Sequence, residues 1–308
     1  MSLPPGNATP FRGRAHRAPE LAMARVSVIV PSYNRPDRLR GCLEALTRQD
    51  GGPYEIIVVD DGSPEPLAAI CAAFGDQVRY LRQDNAGPAK ARNTGAKTSD
   101  AEILVFTDDD CRPEPGWVAA LLARHAGQRD ALVGGHVVNL LTNNVYSASS
   151  QTLCDFLYDH FGAAQGTIPF FTSNNMACDR ARFLELGGFD ESFPLAAAED
   201  RDFGMRWREA GGRLVYAPDA VVGHAHAMTL ARFIRQHSNY GKGARHLHKV
   251  LDMRGSDAVK FAGLRFYQRL LLYPWESRQP MRLRQSGLMV LSQVAMVGGY
   301  VQSLLRPS

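Results

Sequence analysis

Short apolar runs alternate with segments of helical spacing through residues 25–125, and this alternation narrows the choice of fold more than any other feature. The first four runs read RVSVIVP, YEIIVVDDGS, VRYL and AEILVFTDDD. The first interval carries apolar residues at helical spacing, namely Leu39, Cys42, Leu43 and Leu46. Strands that are apolar on both faces need cover on both faces, and the intervening helices supply it. The pattern predicts an α/β fold with a mostly parallel sheet flanked by helices.

Acidic residues follow two of these runs, where the predicted strands end. Asp60 and Asp61 close the second run, and Asp108, Asp109 and Asp110 close the fourth. Ligands of open α/β sheets bind beside the carboxyl ends of the strands. Adjacent carboxylates repel one another, and Mg²⁺ or Mn²⁺ prefers hard oxygen ligands of this kind. We therefore expect a divalent-metal site at the triple aspartate, with a solvated acidic loop as the alternative.

Six motifs appear in order along the chain: VIVPSYNR, VVDDGS, NAGPAKARNTG, VFTDDD, GGFDE and EDRDFGMR. Over about residues 25–226 they resemble an inverting glycosyltransferase of family 2, and several motifs in order are more specific than any single one. The resemblance implies the Rossmann-like GT-A fold, a nucleotide diphosphate sugar as donor, Mg²⁺ or Mn²⁺ as cofactor and an alcohol as acceptor. It leaves UDP, GDP and dTDP open as the nucleotide. Because no QxxRW motif of processive synthases follows, we expect transfer of one sugar.

The resemblance also assigns roles to single residues. It makes Asp110 of the DxD-like motif the direct metal ligand and turns Asp108 toward the ribose or a metal-bound water. Asp109 is expected to point away from both, since neighbours in an extended segment face opposite sides. Asp61, with Asp60 as second choice, is implied to bind the base. The full set implied to contact the donor is Pro31, Tyr33, Arg35, Asp60, Asp61, Arg92, Asp108, Asp109 and Asn174.

Several of these residues also have a purely structural explanation. An Asx turn is common for the sequence D-G-S and would occupy Asp60. Tyr33 could be a packing residue, and the cations Lys90 and Arg92 could lie on a helix surface. Asn174 precedes a predicted helix and could cap its amino end.

The segment AAAEDRDFGMRW carries the acids implied to act in catalysis. An acceptor hydroxyl has a high pKa, so a nearby carboxylate has to take its proton as the new bond forms. The resemblance makes Asp200 this general base and lets Glu199 orient the acceptor or a neighbouring group. Stabilisation of acids by the dipole at a helix amino end is the simpler explanation.

Two histidines, His224 and His226, lie two residues apart in the segment GHAHAM. In an extended segment such residues share one face. The resemblance allows one of them to complete the metal shell, and we assign His224 to it. A histidine that packs without a ligand is the alternative.

The carboxyl-terminal quarter of the chain is basic. Residues 232–308 hold 13 Lys and Arg against 3 Asp and Glu, a net charge of +10, while the rest of the chain carries −6. Residues 258–275 mix cations with aromatic residues, and residues 287–305 carry no formal charge. The uncharged segment favours an interfacial or protein-packed helix. The basic, aromatic-rich composition favours attraction to an anionic membrane surface or to an anionic lipid-linked acceptor. A helical hairpin packed on the catalytic domain or on a second copy, as in a homodimer, is the alternative.

These features divide the chain into three predicted parts. Residues 1–24 lack a continuous apolar stretch and are expected to form a disordered leader. Residues 25–230 form the catalytic domain, with a nucleotide-sugar half at about 25–115 and an acceptor half at about 116–230. Residues 231–308 form a basic helical region. Gly241 and Gly243 lie where it connects to the catalytic domain and are expected to make this connection flexible near the pocket mouth.

Five cysteines without CxxC spacing favour a reducing, cytoplasmic location. The basic carboxyl-terminal region adds a peripheral position at the inner face of the cell membrane as an expectation. Nucleic acid is not expected as a partner, because the chain shows no helix-turn-helix or zinc pattern. Two other functions stay open. A nucleotidyltransferase also uses strand-end aspartates and a divalent ion but releases pyrophosphate, and a non-catalytic protein that binds carbohydrate or a lipid surface could keep the same fold.

Overall fold

The computed structural model describes residues 25–49, 54–193, 195–256 and 263–305, so the predicted leader lies outside the described residues. The described residues form eight strands and ten α-helices. The strands are β1 (Val26–Ser32), β2 (Tyr54–Asp60), β3 (Val78–Arg82), β4 (Ile103–Thr107), β5 (Cys111–Pro113), β6 (Ala131–Asn139), β7 (Asn175–Asp179) and β8 (Arg213–His224). The helices are α1 (Pro36–Leu46), α2 (Ala68–Ala72), α3 (Pro88–Thr98), α4 (Trp117–His125), α5 (Val145–His160), α6 (Arg180–Glu185), α7 (Glu199–Glu209), α8 (Leu230–Arg254), α9 (Leu264–Glu276) and α10 (Arg282–Leu305).

All eight strands belong to one sheet, in the order β3-β2-β1-β4-β7-β6-β8-β5. The four strands predicted from the apolar runs pair in parallel, with Ser32 at the end of β1 opposite Asp60 at the end of β2. Beyond β4 the sheet is mixed, because β7 runs antiparallel to both of its neighbours and β5 antiparallel to β8. The carboxyl ends of β1, β2 and β4 therefore meet at one edge, as the sequence predicts.

Helices cover both faces of the sheet. Val28 and Val30 of β1 belong to the core beneath α1, while Ile29 between them belongs to the core on the opposite face. On that second face α3 lies so close to β1 that a Cβ at Gly95 would be 2.6 Å from Cγ2 of Ile29. This burial of both faces explains why the strands are continuously apolar.

The carboxyl-terminal region is a set of three helices packed on the rest of the chain. Helix α8 begins where the hydroxyl of Thr229 accepts a hydrogen bond from the backbone N–H of Arg232, and it ends at Gly255, whose φ is +66°. Helices α9 and α10 pack on α5 through a small apolar cluster formed by Leu153, Phe156, Leu270, Tyr273 and Met289. Part of the basic region is thus fixed to the predicted catalytic domain.

Glycines set the distance between α8 and α10. A Cβ at Gly241 of α8 would lie 1.9 Å from the carbonyl oxygen of Met296, and a Cβ at Gly299 of α10 would lie 1.9 Å from that of Ser238. The predicted flexible connection at Gly241 and Gly243 is wrong, because both residues are buried inside one 25-residue helix. The missing side chains serve close helix packing here.

Candidate active site

Asp110 stands at the centre of a group that can bind a metal ion. Nε2 of His224 lies 3.2 Å from Oδ1 of Asp110, and Nδ1 of His226 lies 3.4 Å from Oδ2. One ligand atom from each of the three residues falls within 4.8 Å of the others. One carboxylate and two imidazoles are a chemically suitable set that leaves further coordination positions for phosphate oxygens and water.

Strand pairing brings these three residues together. The short strand β5 pairs antiparallel with the end of β8, so that Cys111 lies opposite His224. One residue further, the N–H of Ala225 donates to the carbonyl oxygen of Asp110, at 2.9 Å. Because His224 and His226 are two residues apart, both rings reach the Asp110 carboxylate, as expected for one face of an extended segment.

Cations and imidazoles keep the Asp110 carboxylate charged. Burial alone would raise the pKa of Asp110, but hydrogen bonds from His224 and His226 outweigh it and hold this pKa well below its usual range. Burial would lower the pKa of His224, and the hydrogen bond to Asp110 raises it instead. Arg38 also contributes a positive charge, with Nη1 2.8 Å from Oδ2 of Asp110. A metal ion would therefore meet an ionised ligand.

Helix α8 contacts His226 on the ring nitrogen that faces away from Asp110. Nε2 of His226 lies 2.8 Å from Oε1 of Gln236, and Nε2 of Gln236 donates to the hydroxyl of Tyr240 at 2.5 Å. With the amide in this orientation, Oε1 of Gln236 accepts a hydrogen bond from the N–H at Nε2 of His226. In the protonated ring Nδ1 donates to Asp110, and in the neutral ring Nδ1 carries the lone pair that a metal ion would use.

The other two aspartates of the triple face different partners. Asp109 is buried, accepts a hydrogen bond from the Ser32 hydroxyl at 2.8 Å and pairs with Arg35 at 3.1 Å. Burial raises the pKa of Asp109 to about 6 although Arg35 opposes the shift. Asp108 is partly exposed and accepts a 2.7 Å hydrogen bond from Arg92. The extended segment expected here is absent, because the triple aspartate forms a turn in which the N–H of Cys111 donates to the carbonyl oxygen of Asp108 at 3.0 Å.

Arg92 joins the triple aspartate to the acids of α7. Its Nη2 binds Asp108, and its Nη1 lies 3.3 Å from Oε1 of Glu199. Glu199 is buried, and its burial together with the charge of Asp200 raises its pKa to about 7. Burial also raises the pKa of Asp200, whose Oδ1 accepts a 2.8 Å hydrogen bond from the N–H of Arg201. A carboxylate with a raised pKa takes a proton more readily than an ordinary one.

The acids that end β2 are occupied by nearby protein donors. Asp60 accepts hydrogen bonds from the N–H groups of Ser63 and Leu67 and from the Tyr80 hydroxyl. These contacts give Asp60 a structural role, but its backbone donors lie three and seven residues on and not the two of an Asx turn. Burial would raise the pKa of Asp60, but the hydrogen bonds outweigh it and lower this pKa.

Asp61 holds the loop that leads into α3. Its Oδ1 accepts from Gln83 at 2.7 Å and from the N–H of Ala86 at 3.0 Å, and its Oδ2 accepts from the N–H of Gly87 at 2.8 Å. Gly62, with φ +79°, lets this loop approach, since a Cβ there would lie 2.6 Å from the N of Asn85. The two carboxylates of VVDDGS therefore hold the loops at this edge of the sheet through these contacts.

Two further predicted donor residues lie at the same edge. Tyr33 follows β1 and is 47% exposed, so it is not a packing residue. Asn174 is buried, and its Oδ1 has no hydrogen-bond partner among the described residues. The capping alternative for Asn174 is wrong, because Asp179 caps α6 by accepting from the N–H of Arg182 at 2.8 Å.

Sequence reasoning did not select Arg38 or Gln236. Arg35 and Arg38 are three residues apart at the start of α1, and both approach Asp110, at 3.6 and 2.8 Å. Two cations at helical spacing directly after a strand end were the available signal. No sequence signal pointed to Gln236, because its contact with His226 depends on how α8 packs.

Comparison with known proteins gives two kinds of match. A sequence profile of the family described as "Glycosyl transferase family 2" matches residues 27–187. A pre-mycofactocin glycosyltransferase of Mycobacterium tuberculosis is 31% identical over 227 residues, which cover 71% of this chain and 46% of that protein. Glycosyltransferase AglE of Haloferax volcanii is 30% identical over 228 residues, covering 71% of this chain and 72% of that protein. This chain spans about half the length of the first of these curated relatives.

The same architecture is found among solved structures. The mannosyltransferase PcManGT from Pyrobaculum calidifontis, solved in complex with GDP-Man and Mn²⁺, superposes with a TM-score of 0.62. It is 18% identical in sequence, and the superposition covers 92% of this chain and 76% of that one. This likeness confirms the predicted fold class, a GT-A sheet flanked by helices with a helical carboxyl-terminal addition.

Proposed function

Because this chain belongs to glycosyl transferase family 2, we propose that it transfers one sugar from a nucleotide diphosphate sugar to an acceptor hydroxyl, with inversion at the anomeric carbon. The observation that carries this proposal is the continuous arrangement of the site. Asp110 with its two histidines adjoins Asp108, and Arg92 connects Asp108 to Glu199 beside Asp200. A metal-binding group and a pair of acids with raised pKa values are thus connected through one arginine, as a transfer between two substrates requires.

Asp110, His224 and His226 are the residues that would hold a divalent cation. Such a cation would offset the negative charge of the donor diphosphate and of the nucleoside diphosphate that leaves. Two imidazole nitrogens beside one carboxylate favour Mn²⁺ over Mg²⁺, which prefers oxygen ligands and water. PcManGT, of the same fold, was solved with Mn²⁺ and GDP-Man, which supports this cofactor and donor class.

Residues 25–115 are proposed to bind the donor and residues 116–230 the acceptor. Exposed Tyr33 and the end of β1 at Pro31 would line the base and ribose, with Asp60 and Asp61 fixing the loops around them. Arg35 would add positive charge near the diphosphate. Asn174, whose buried Oδ1 has no partner among the described residues, would accept a hydrogen bond from a sugar hydroxyl.

Asp200 is proposed as the general base. The acceptor oxygen forms its bond to the anomeric carbon while the acceptor proton passes to the Asp200 carboxylate. The bond from that carbon to the diphosphate oxygen breaks on the opposite side, which inverts the configuration. Glu199, held by Arg92, would orient the acceptor and keep Asp200 in place.

The proposal is tested by incubating the purified protein with UDP-, GDP- and dTDP-sugars in the presence of Mn²⁺, Mg²⁺ or EDTA. We expect release of nucleoside diphosphate with one donor, faster with Mn²⁺ than with Mg²⁺ and abolished by EDTA. Asp110→Asn should lower the rate about 100-fold or more, since a neutral amide is a poor metal ligand. Asp219→Asn is the matched control, because Asp219 is an exposed partner of Arg124 on the surface.

Two results would contradict the proposal. Release of pyrophosphate from a nucleoside triphosphate, without nucleoside diphosphate from any sugar donor, would identify a nucleotidyltransferase. Saturable binding of a nucleotide sugar, equal in wild type and Asp110→Asn and without turnover, would identify a binding protein.

A further inference from the structure

Helix α10 presents an apolar face to solvent. Residues of its inner side, among them Met289, Ser292 and Ala295, are buried. The outer side exposes large apolar residues at alternating spacings of four and three, namely Val290, Val294, Val297, Val301 and Leu304. No charged residue occurs from 285 to 305. Monomeric proteins rarely leave a continuous apolar strip of this length in water.

Helix α9 extends this surface. It exposes Leu264, Tyr267, Leu272 and Trp275, of which Leu264 is 74% exposed. Trp275 connects the two helices, since its indole N–H donates to the hydroxyl of Ser286 at 3.1 Å. The outer face is defined here as these four residues of α9 together with the five residues of α10.

Unpaired arginines accompany the outer face. Residues 263–305 contain five arginines and one carboxylate, Glu276. The arginines are Arg265, Arg269, Arg278, Arg282 and Arg284. Within the described part of the chain, none of the five forms an ion pair with a carboxylate, although arginines elsewhere do, as Arg213 with Asp130. Arg282 instead stacks on Trp275, with its guanidinium carbon 4.6 Å from the ring centroid.

We propose that the outer face of α9 and α10 docks on an anionic lipid surface, with α10 lying along the surface. Aromatic residues with polar edges, exposed aliphatic residues and cations without protein partners are the three groups that such a surface binds. This inference concerns where the protein is held and does not depend on sugar transfer.

The packing of α10 favours docking over spanning. Length and hydropathy alone would let residues Arg282–Leu305 cross a membrane. Its inner side, however, is fixed against α8 at Gly241 and Gly299, and α8 carries Arg235, Lys242 and Arg245. A spanning α10 would draw these charges into hydrocarbon, whereas an α10 in the interface leaves them in water.

Charge disfavours a second copy of this chain as the occupant. Two copies would bring together two segments, residues 263–305 of each, that carry five arginines against one carboxylate. The positions beside the apolar strip of α10 also lack the opposite charges that pair helices in coiled coils. An anionic lipid surface supplies the missing counter-charge.

Vesicle binding of the full chain tests the proposal. We expect the protein to cosediment with phosphatidylcholine vesicles that contain phosphatidylglycerol, and to do so about tenfold less with phosphatidylcholine alone or at high salt. The double variant Val294→Glu with Val297→Glu should reduce binding about tenfold or more. Met253→Glu, which places a glutamate at an exposed apolar residue of α8, should not reduce it.

Two further measurements separate the contribution of the arginine charges from insertion of the apolar residues into the lipid. Arg282→Gln with Arg284→Gln should weaken binding about tenfold, while Arg124→Gln on the catalytic domain should not. Trp117 and Trp207 are fully buried, so a blue shift of tryptophan emission on adding vesicles reports Trp275. Equal vesicle binding by wild type and the double Glu variant would overturn the proposal, provided both melt at similar temperatures. So would a wild-type dimer that the double variant dissociates and that binds no vesicles.

Discussion

Arg92 and Glu199 are 107 positions apart in the sequence, yet Nη1 of one lies 3.3 Å from Oε1 of the other. Both side chains are almost fully buried. Because the same guanidinium holds Asp108, this ion pair fixes the spacing between the triple-aspartate loop and the amino end of α7.

Arg92→Lys should lower kcat/KM about 10- to 100-fold, because a lysine can reach Asp108 or Glu199 but cannot bind both. Steady-state kinetics with the preferred donor measure this effect. Arg124→Lys makes the same change at the exposed pair with Asp219 and should alter kcat/KM less than twofold. Equal kinetics for the two variants would show that the bridge has no role in transfer.

Asp200→Asn should lower kcat about 10²- to 10⁴-fold, since the amide cannot take the acceptor proton. Binding of the nucleoside diphosphate with Mn²⁺, measured by calorimetry, should change little, because the metal-binding group is intact. A large loss of nucleotide binding with an unchanged kcat would assign Asp200 to the donor instead. Glu199→Gln should give a smaller kcat loss, as expected for a positioning residue.

Gln236→Met should weaken Mn²⁺ binding about 10-fold or more, because loss of the acceptor leaves the ring of His226 unoriented. The affinity can be measured from the electron paramagnetic resonance signal of free Mn²⁺, without turnover. Gln268→Met, at an exposed position of α9, serves as control. An unchanged affinity would remove His226 from the metal-binding group.

His237 should make the free energy of unfolding depend on pH. It is fully buried without a hydrogen-bond partner for either ring nitrogen among the described residues, and burial lowers its pKa to about 4. Between that value and the ordinary 6.5 the unfolded chain binds a proton that the folded chain does not. Stability contributed by neutral His237 is therefore complete above about pH 6.5 and is lost as pH falls toward 4, by about 1.4 kcal/mol per pH unit.

His237→Phe should flatten this part of the pH profile, as measured by urea unfolding at several pH values. Phe233→Leu changes the adjoining core without removing a titrating group, so it should shift stability equally at each pH. A profile of His237→Phe parallel to wild type would exclude the histidine as the cause.

The parallel half of the fold was predictable because each of its strands is buried on both faces, which leaves a continuous apolar run such as residues 103–107. In the mixed half of the sheet, the apolar runs at residues 131–138 and near Leu214 predict β6 and β8, whereas β5 and β7 were not predicted. Strand β5 has three residues, and β7 is recognisable only through its pairing with β4. Such strands depend on partners distant in the chain, and local composition carries little of that information.

The parts of the site that follow from strand ends and residue spacing were predictable, and the contacts that depend on distant segments were not. Strand ends placed Asp108 and Asp110 correctly, and spacing placed both histidines on one face. The hydrogen bonds that occupy Asp61 were not predictable, because they come from a loop 22 to 26 residues further along the chain. The contact between Gln236 and His226 likewise follows from helix packing.

Two absent methyl groups, at Gly241 and Gly299, set how closely α10 lies against α8, and α8 in turn contacts the ring beside Asp110 through Gln236. A docked α10 would thus hold the catalytic centre at one height above the lipid. That height would limit which anchored acceptors the catalytic centre can reach. An anchored acceptor would be used only if its reactive hydroxyl stood the same distance from its anchor, so the length of its spacer would matter as much as the identity of its terminal group.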